Sequence, residues 1–269
     1  MGLLTVDTGK CLKCGLCAEC CPACIISLGD NGPECLFERG CMACGHCVAV
    51  CPVAALDNKL APLAAQEPVT MPVLDATTAY NFLRMRRSVR LFKDEAPTEA
   101  EITEMLNVAR YAPTAGNSQD ISYIVIRDRH RISAIAAAVA AWMEREVAEA
   151  TENKRYFQAV LRAYRDRGKD IIARNAPCLI FAVTRRLNIT GISNAEESWA
   201  YASLYAPTIG LGTTVAGFIQ SCGSAGYEPL LELVGVEPRK KIVGALMVGY
   251  PRVQFRRMPE RQSLKVEFR

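Results

Sequence analysis

The sequence predicts a chain of mixed α and β structure in two parts. A small cysteine-rich module covers residues 1–58, a connector covers 59–76, and a larger domain covers 77–269. Three observations carry this reading. Eleven of the 13 cysteines fall between Cys11 and Cys51. Pro62, Pro68 and Pro72 crowd the connector, where proline removes backbone donors and resists helix. Beyond residue 77, apolar positions at helical spacing alternate with apolar runs of strand length.

Composition narrows the function classes. A chain of 269 residues accommodates one large or two smaller domains. Half the residues are hydrophobic and 22% are charged, which excludes disordered and fibrous classes. The 32 basic and 28 acidic residues leave a net charge of only +4, too little to argue for nucleic acid. The longest apolar run, Ala134 to Met143, is half the length of a membrane span. Asp7, Lys10 and Cys11 stand where a secretion signal needs an apolar core. Two histidines, His46 and His130, give a histidine-based metal site or a Ser-His-Asp triad almost no material.

The cysteine module reads Cys11-x-x-Cys14-x-x-Cys17-x-x-x-Cys21-Pro22, then Cys41-x-x-Cys44-x-x-Cys47-x-x-x-Cys51-Pro52. Both blocks match the bacterial iron–sulfur spacing, in which a tight loop wraps three corners of a cubane and the fourth cysteine ligates the other cluster. Cys11, Cys14, Cys17 and Cys51 are then expected to hold one [4Fe–4S] cluster, and Cys41, Cys44, Cys47 and Cys21 the other. A disulfide scaffold needs an oxidising compartment. Zinc prefers paired C-x-x-C and has no use for the third cysteine or the proline. Cys14, Cys17, Cys20 and Cys24 fit the same spacing in a shifted register, but proline follows Cys21 and favours the first. Cys20, Cys24 and Cys35 are then spare, as small packing residues. The segment resembles a bacterial two-cluster ferredoxin, which implies one-electron transfer at low potential.

Charge separates the module from the rest. Lys10, Lys13 and Arg39 face Asp7, Glu19, Asp30, Glu34, Glu38 and Asp57, so residues 1–58 carry −3 and the remainder +7.

In the larger domain, Thr98 and Glu101 form a capping-box signal. Ile102, Met105, Leu106 and Ala109 follow on one helix face, with Pro113 as the expected stop. Residues 121–126 read as a strand and 131–150 as an alanine-rich helix. Residues 178–183 and 242–248 read as strands. Residues 195–209 read as a buried helix that Pro207 shortens. No internal repeat is expected beyond the paired cysteine blocks.

Three short segments carry the remaining chemistry. Residues 86–90 read Arg-Arg-Ser-Val-Arg, a set that can fork onto a phosphate. Residues 111–119 read Tyr-Ala-Pro-Thr-Ala-Gly-Asn-Ser-Gln, and residues 210–217 read Gly-Leu-Gly-Thr-Thr-Val-Ala-Gly. The last misses the G-x-G-x-x-G dinucleotide fingerprint, and no other segment supplies it. In this order, the three resemble the nitroreductase family of FMN enzymes over nearly all of residues 77–269. The resemblance implies an α+β fold, a mixed sheet flanked by helices, and a domain-swapped type of homodimer with two FMN molecules at the subunit interface. It implies that Arg86, Arg87, Ser88 and Arg90 contact the FMN phosphate, ribityl chain and ring edge. Pro113, Thr114, Ala115 and Asn117 match the turn that reaches the flavin from the other subunit. Thr214, Val215, Ala216 and Gly217 match the turn beside the isoalloxazine, where a backbone N–H can face N5. Arg257, or its neighbour Arg256, matches a C-terminal arginine on the phosphate, and Lys169 falls where some members place a polar flavin contact. Many members have Pro-Trp where this chain has Asp120-Ile121, and glutamate where it has Ala216. That glutamate lies near the nicotinamide site, so NAD(P)H ranks behind a ferredoxin as expected donor.

Together these readings predict an FMN-dependent oxidoreductase. Two [4Fe–4S] clusters relay electrons from a low-potential donor to FMN, which reduces an electron-poor acceptor such as a nitroaromatic or quinone. No protein acid is singled out as catalytic. A redox carrier or sensor with no small-molecule substrate is the alternative. Neither nucleic acid nor membrane is an expected partner. Oxygen-labile clusters favour the cytoplasm of an anaerobic microbe.

Overall fold

The computed structural model describes residues 2–69, 74–149 and 153–269. Pro72 and the expected helix end at Ala150 lie outside the described residues. The chain divides into two compact units: Met1–Val73 with Ala115–Ser118, and Leu74–Thr114 with Gln119–Arg269.

The first unit is built from β1 (Leu4–Val6), α1 (Leu16–Glu19), β2 (Ile26–Gly29), β3 (Gly32–Cys35), α2 (His46–Ala49) and β4 (Leu56–Asn58). Its two halves repeat well beyond the cysteines, contrary to the sequence reading. Gly15 and Gly45 precede α1 and α2 at φ 80° and 74°, a left-handed conformation that glycine adopts without strain. Cys24 and Ala54 take matching positive φ values of 52° and 49°. The halves also exchange strands: β1 pairs antiparallel with β4, and β2 with β3. Leu3, Ile25, Ile26, Cys47, Val48 and Leu56 form its core. Among the described residues of the connector, the Ala61 N–H turns back onto the Asn58 carbonyl at 3.0 Å, and a short 3-10 turn covers Leu63–Ala65.

The second unit opens with α3 (Ala76–Met85), whose N-cap Asp75 accepts from the Thr78 N–H at 3.0 Å. In α4 (Glu99–Ala109), Thr98 and Glu101 form the expected capping box. This helix ends at Ala109, four residues before Pro113, because the chain turns at Arg110–Ala112. Next come β5 (Ser122–Ile126), α5 (Arg129–Ala148), α6 (Lys154–Leu161) and β6 (Cys178–Arg185). Then follow α7 (Gly191–Tyr205), β7 (Gly212–Val215), α8 (Gly217–Ser224), α9 (Glu228–Val234) and β8 (Lys240–Gly249). The segment read as a Gly-rich turn thus contains a strand. Pro207 sits in the 3-10 turn Ala206–Ile209 that ends α7.

The sheet order is β5-β6-β8-β7, antiparallel at every strand pair. The parallel component of the expected mixed sheet is the isolated bridge between Ser88 and Thr213. Both faces of the sheet are covered. From β6, Leu179, Phe181 and Val183 enter one core with residues of α5, α8 and α9. Cys178, Ile180 and Ala182 enter the other, with residues of α4 and α7. A strand buried on both faces reads as a continuous apolar run, as this one does. A register shift at Ala182/Val183 lets β8 keep the same division despite its own irregularity.

Candidate functional site

In the first unit, the cysteines sort into two small pockets of similar size. Cys11, Cys14, Cys17 and Cys51 line one, and Cys21, Cys41, Cys44 and Cys47 line the other. The strand exchange explains the sorting, because it carries Cys51 back to the first half and Cys21 across to the second. The rest of each lining is apolar apart from Lys13 in one and His46 and Asn58 in the other. Cys20, Cys24 and Cys35 line neither pocket, and the Cys20 thiol donates to the Cys17 carbonyl at 3.6 Å. The Ala55 N–H donates to Cys51 Sγ at 3.2 Å. Among the described residues, no three His, Cys, Asp or Glu side chains converge on a single-ion position. Four sulfurs spread around a pocket fit a polynuclear group, whose irons set the thiolates farther apart than one ion does.

In the second unit, the fold brings two of the three motif segments side by side. The Val89 N–H donates to the Thr213 carbonyl at 2.9 Å, next to the Ser88–Thr213 bridge. Their residues then divide between two cavities. Arg87, Val89, Gly212 and Thr213 line one, together with Arg256 and Arg257. Arg90, Thr214, Val215 and Gly217 line the other. Arg86 and Ser88 line neither, and Lys169 is likewise outside both. The Nε of Arg87 is buried and has no partner, while its guanidinium lies 5.9 Å from the Phe255 ring centroid.

The second cavity has an aromatic wall. Trp142, Tyr156, Phe157 and Phe218 line it, and neighbouring rings stand 5.4–6.5 Å apart. It also holds Arg174, which sequence reasoning missed. Burial, and then the like charge of Arg90, lower the pKa of Arg174. Its backbone is left-handed at φ 56°, as is that of the next residue, Asn175, at 50°.

Ala216 is fully buried, and its N–H is spent on the Ala245 carbonyl at 2.9 Å. The backbone donor free to face a ligand at this turn is therefore that of Gly217, the first residue of α8. A side chain added at Gly217 would meet nothing within 4 Å, so open space lies beside it.

The remaining motif segment behaves differently. Pro113 and Thr114 stay in the second unit, whereas Ala115 and Asn117 group with the first. Within that first unit the Asn117 amide donates to the Met42 carbonyl at 2.9 Å. The Thr114 hydroxyl accepts from the Gln119 N–H at 3.1 Å. Asp120, which stands where Pro-Trp is common, accepts from Thr184, Asn188 and Asn194. It ties the start of β5 to the end of β6 and to α7.

A family model described as Nitroreductase family matches residues 83–250. The chain belongs to the nitroreductase family. An FMN-bound nitroreductase from Bacteroides fragilis matches with a TM-score of 0.55 at 14% identity, covering 70% of this chain and 98% of that one. An FMN-bound nitroreductase from Desulfitobacterium hafniense matches with a TM-score of 0.56 at 17% identity, covering 70% and 97%. At these identities the likeness is one of fold. An Archaeoglobus fulgidus protein named as an NADH dehydrogenase/NAD(P)H nitroreductase is 38% identical over 53 residues. That match spans 20% of this chain and 30% of the relative, so the chain covers under a third of the curated relative it matches. The cysteine-rich segment from Cys11 to Cys51 lies outside the matched residues.

Proposed function

We propose that the chain is an FMN-dependent oxidoreductase fed by two [4Fe–4S] clusters, which relay electrons from a low-potential donor such as a ferredoxin. The observation that carries this reading is the sorting of eight cysteines into two four-cysteine pockets on a chain that belongs to the nitroreductase family over residues 83–250. When bound, the clusters supply electrons singly, and FMN gathers them in pairs for an electron-poor acceptor such as a nitroaromatic or quinone.

The chain's own residues divide the work. Eight thiolates would hold the clusters, each set within a mostly apolar lining. In the second unit, Arg87, Arg256 and Arg257 offer a phosphate its counter-charge, and the buried, unpartnered Nε of Arg87 is a donor awaiting an acceptor. Arg90 and Arg174 place two cations where negative charge develops on reduction, and the Gly217 N–H adds a neutral donor. The aromatic wall leaves room for a flat acceptor, which a pure electron carrier does not need. Arg86, Ser88, Pro113 and Thr114 remain candidate flavin contacts by family resemblance.

A homodimer is part of this proposal. No residue of α3 is buried, and Tyr80, Leu83 and Met85 are each more than half exposed. Among the described residues no helix is long and apolar enough to cross a membrane. Oxygen-labile clusters favour the cytoplasm.

The test is an anaerobic titration of iron-reconstituted, FMN-loaded protein, following flavin and cluster absorbance separately. NADH or NADPH is added first, then reduced ferredoxin. Cluster bleaching ahead of flavin bleaching, with ferredoxin alone, supports the relay. Rapid flavin bleaching by a nicotinamide with untouched clusters overturns it. Electron delivery to a partner protein, without turnover of any small acceptor, supports the carrier alternative.

A further inference from the structure

The two cysteine pockets are built from one repeated plan with one polar exception. Each residue from Cys11 to Pro22 that bears on the motif recurs thirty positions later, and so does the strand that follows. At the end of that strand the first half has Leu28 and the second has Asn58. The strand pairings agree with this equivalence: Leu28 lies opposite Pro33, and Asn58 opposite Leu4. Leu28 and Pro33 line one pocket, and Leu4 and Asn58 line the other.

Asn58 is 2% exposed. Its Oδ1 accepts the Leu60 N–H at 2.9 Å, which fixes the amide's orientation and turns Nδ2 toward the sulfurs. Nδ2 stands 3.7 Å from Cys41 Sγ and 3.8 Å from Cys47 Sγ. Leu28 has no donor to offer Cys11 or Cys17.

From this asymmetry we infer that Asn58 is a positioning residue that sets the redox order of the two clusters. It raises the potential of the one held by Cys21, Cys41, Cys44 and Cys47. The inference rests on the cluster reading above. A cluster that gains one electron from its donor becomes more negative, and N–H donors to its sulfurs stabilise that added charge. In a buried site the effect is little screened. Exposure of Cys14 lets water do part of the same work at the other pocket. Asn58 therefore offsets burial on its own side and makes that cluster the acceptor within the pair.

The test is an anaerobic titration of the full-length protein with dithionite through redox mediators, read by EPR of the reduced clusters. Two one-electron waves are expected for the native chain. Asn58→Leu, which copies the other half, moves the more positive wave downward and leaves the other in place. Asn58→Asp keeps the acceptor for Leu60, replaces the donor with a negative oxygen, and moves the same wave further down. Leu28→Asn moves the lower wave up. Asn58 variants in which neither wave moves, or both move together, overturn the inference. Iron and sulfide analysis of the native chain separates the two levels of failure. Iron short of two cubanes overturns the cluster reading, and this inference with it, whereas full iron with unmoved waves overturns only the role of Asn58.

Discussion

Arg90 and Arg174 line the same cavity, and neither forms an ion pair or hydrogen bond among the described residues. The carboxylate of nearby Asp170 is committed to the backbone N–H groups of Ile172, Ala173 and Asn175. Two like charges sharing a partly buried cavity are costly until an anion arrives. For Arg174→Leu, the expected outcome is therefore two-sided. FMN-free protein melts at a higher temperature, and FMN binding weakens by about tenfold, roughly 1.4 kcal/mol. Thermal melts with and without FMN check both. Unchanged FMN affinity would remove Arg174 from the site.

The exchanged strands make a directional prediction about the cysteines. Cys51→Ala lies in the second block by sequence, yet it should damage the cluster of Cys11, Cys14 and Cys17. Cys21→Ala should do the converse to the cluster of Cys41, Cys44 and Cys47. EPR of each reduced variant distinguishes this from ligation within each block, which predicts the opposite losses.

Glu101 ties the start of α4 to Tyr250, the residue that follows β8. It closes the capping box with Thr98, and it accepts from the Tyr250 hydroxyl at 2.9 and 2.7 Å through its two oxygens. Thr98→Ala should cost about 1 kcal/mol in urea denaturation, and Thr98→Ser much less. The same bonds have pH signatures. Hydrogen bonds from Thr98 and then Tyr250 hold the Glu101 carboxyl below its ordinary 4.5, so its contribution is full above that value and fades as pH falls through the depressed one. The Glu101 bond pushes the Tyr250 phenol up from 10.0 to about 12, so its contribution is full below 10.0 and fades as pH rises through about 12. Ultraviolet titration comparing the native chain with Tyr250→Phe should lose one phenol with a midpoint near 12.

Cys178 and Cys222 should be inert. Both are fully buried, and burial pushes each thiol up to about 12. The thiolate is the reactive form. Iodoacetamide at neutral pH should leave both unmodified in the folded chain, as read by peptide mass spectrometry. Labelling of either without denaturant would contradict the packing described for the two cores.

Much of this was legible in the sequence where a single physical constraint writes a local pattern. The two cysteine blocks mark the eight residues that line two pockets, the helix start demands Thr98 with Glu101, and a strand buried on both faces writes the run from Cys178 to Val183. Other features write no such pattern. Helix α3 buries no residue, so its apolar side chains Tyr80, Leu83 and Met85 point to no core that the sequence could announce. Strand β7 is four residues of glycine, threonine and valine, indistinguishable from a loop by periodicity. Arg174 matters through a neighbour 84 positions away in sequence, and spacing carries no trace of that. Asn58 was findable: aligning the two halves at their cysteines places an amide opposite a leucine.

Strand β6 is the common wall of two cores, with alternate side chains committed to opposite sides. A wall shared in this way forbids independent drift. A change that thins Phe181 alters the seat of Ile180 through the same stretch of backbone, so repairs must arise on both sides together. Variation in this lineage should therefore collect on the outer helices and their loops, while the strand that divides the cores stays nearly fixed.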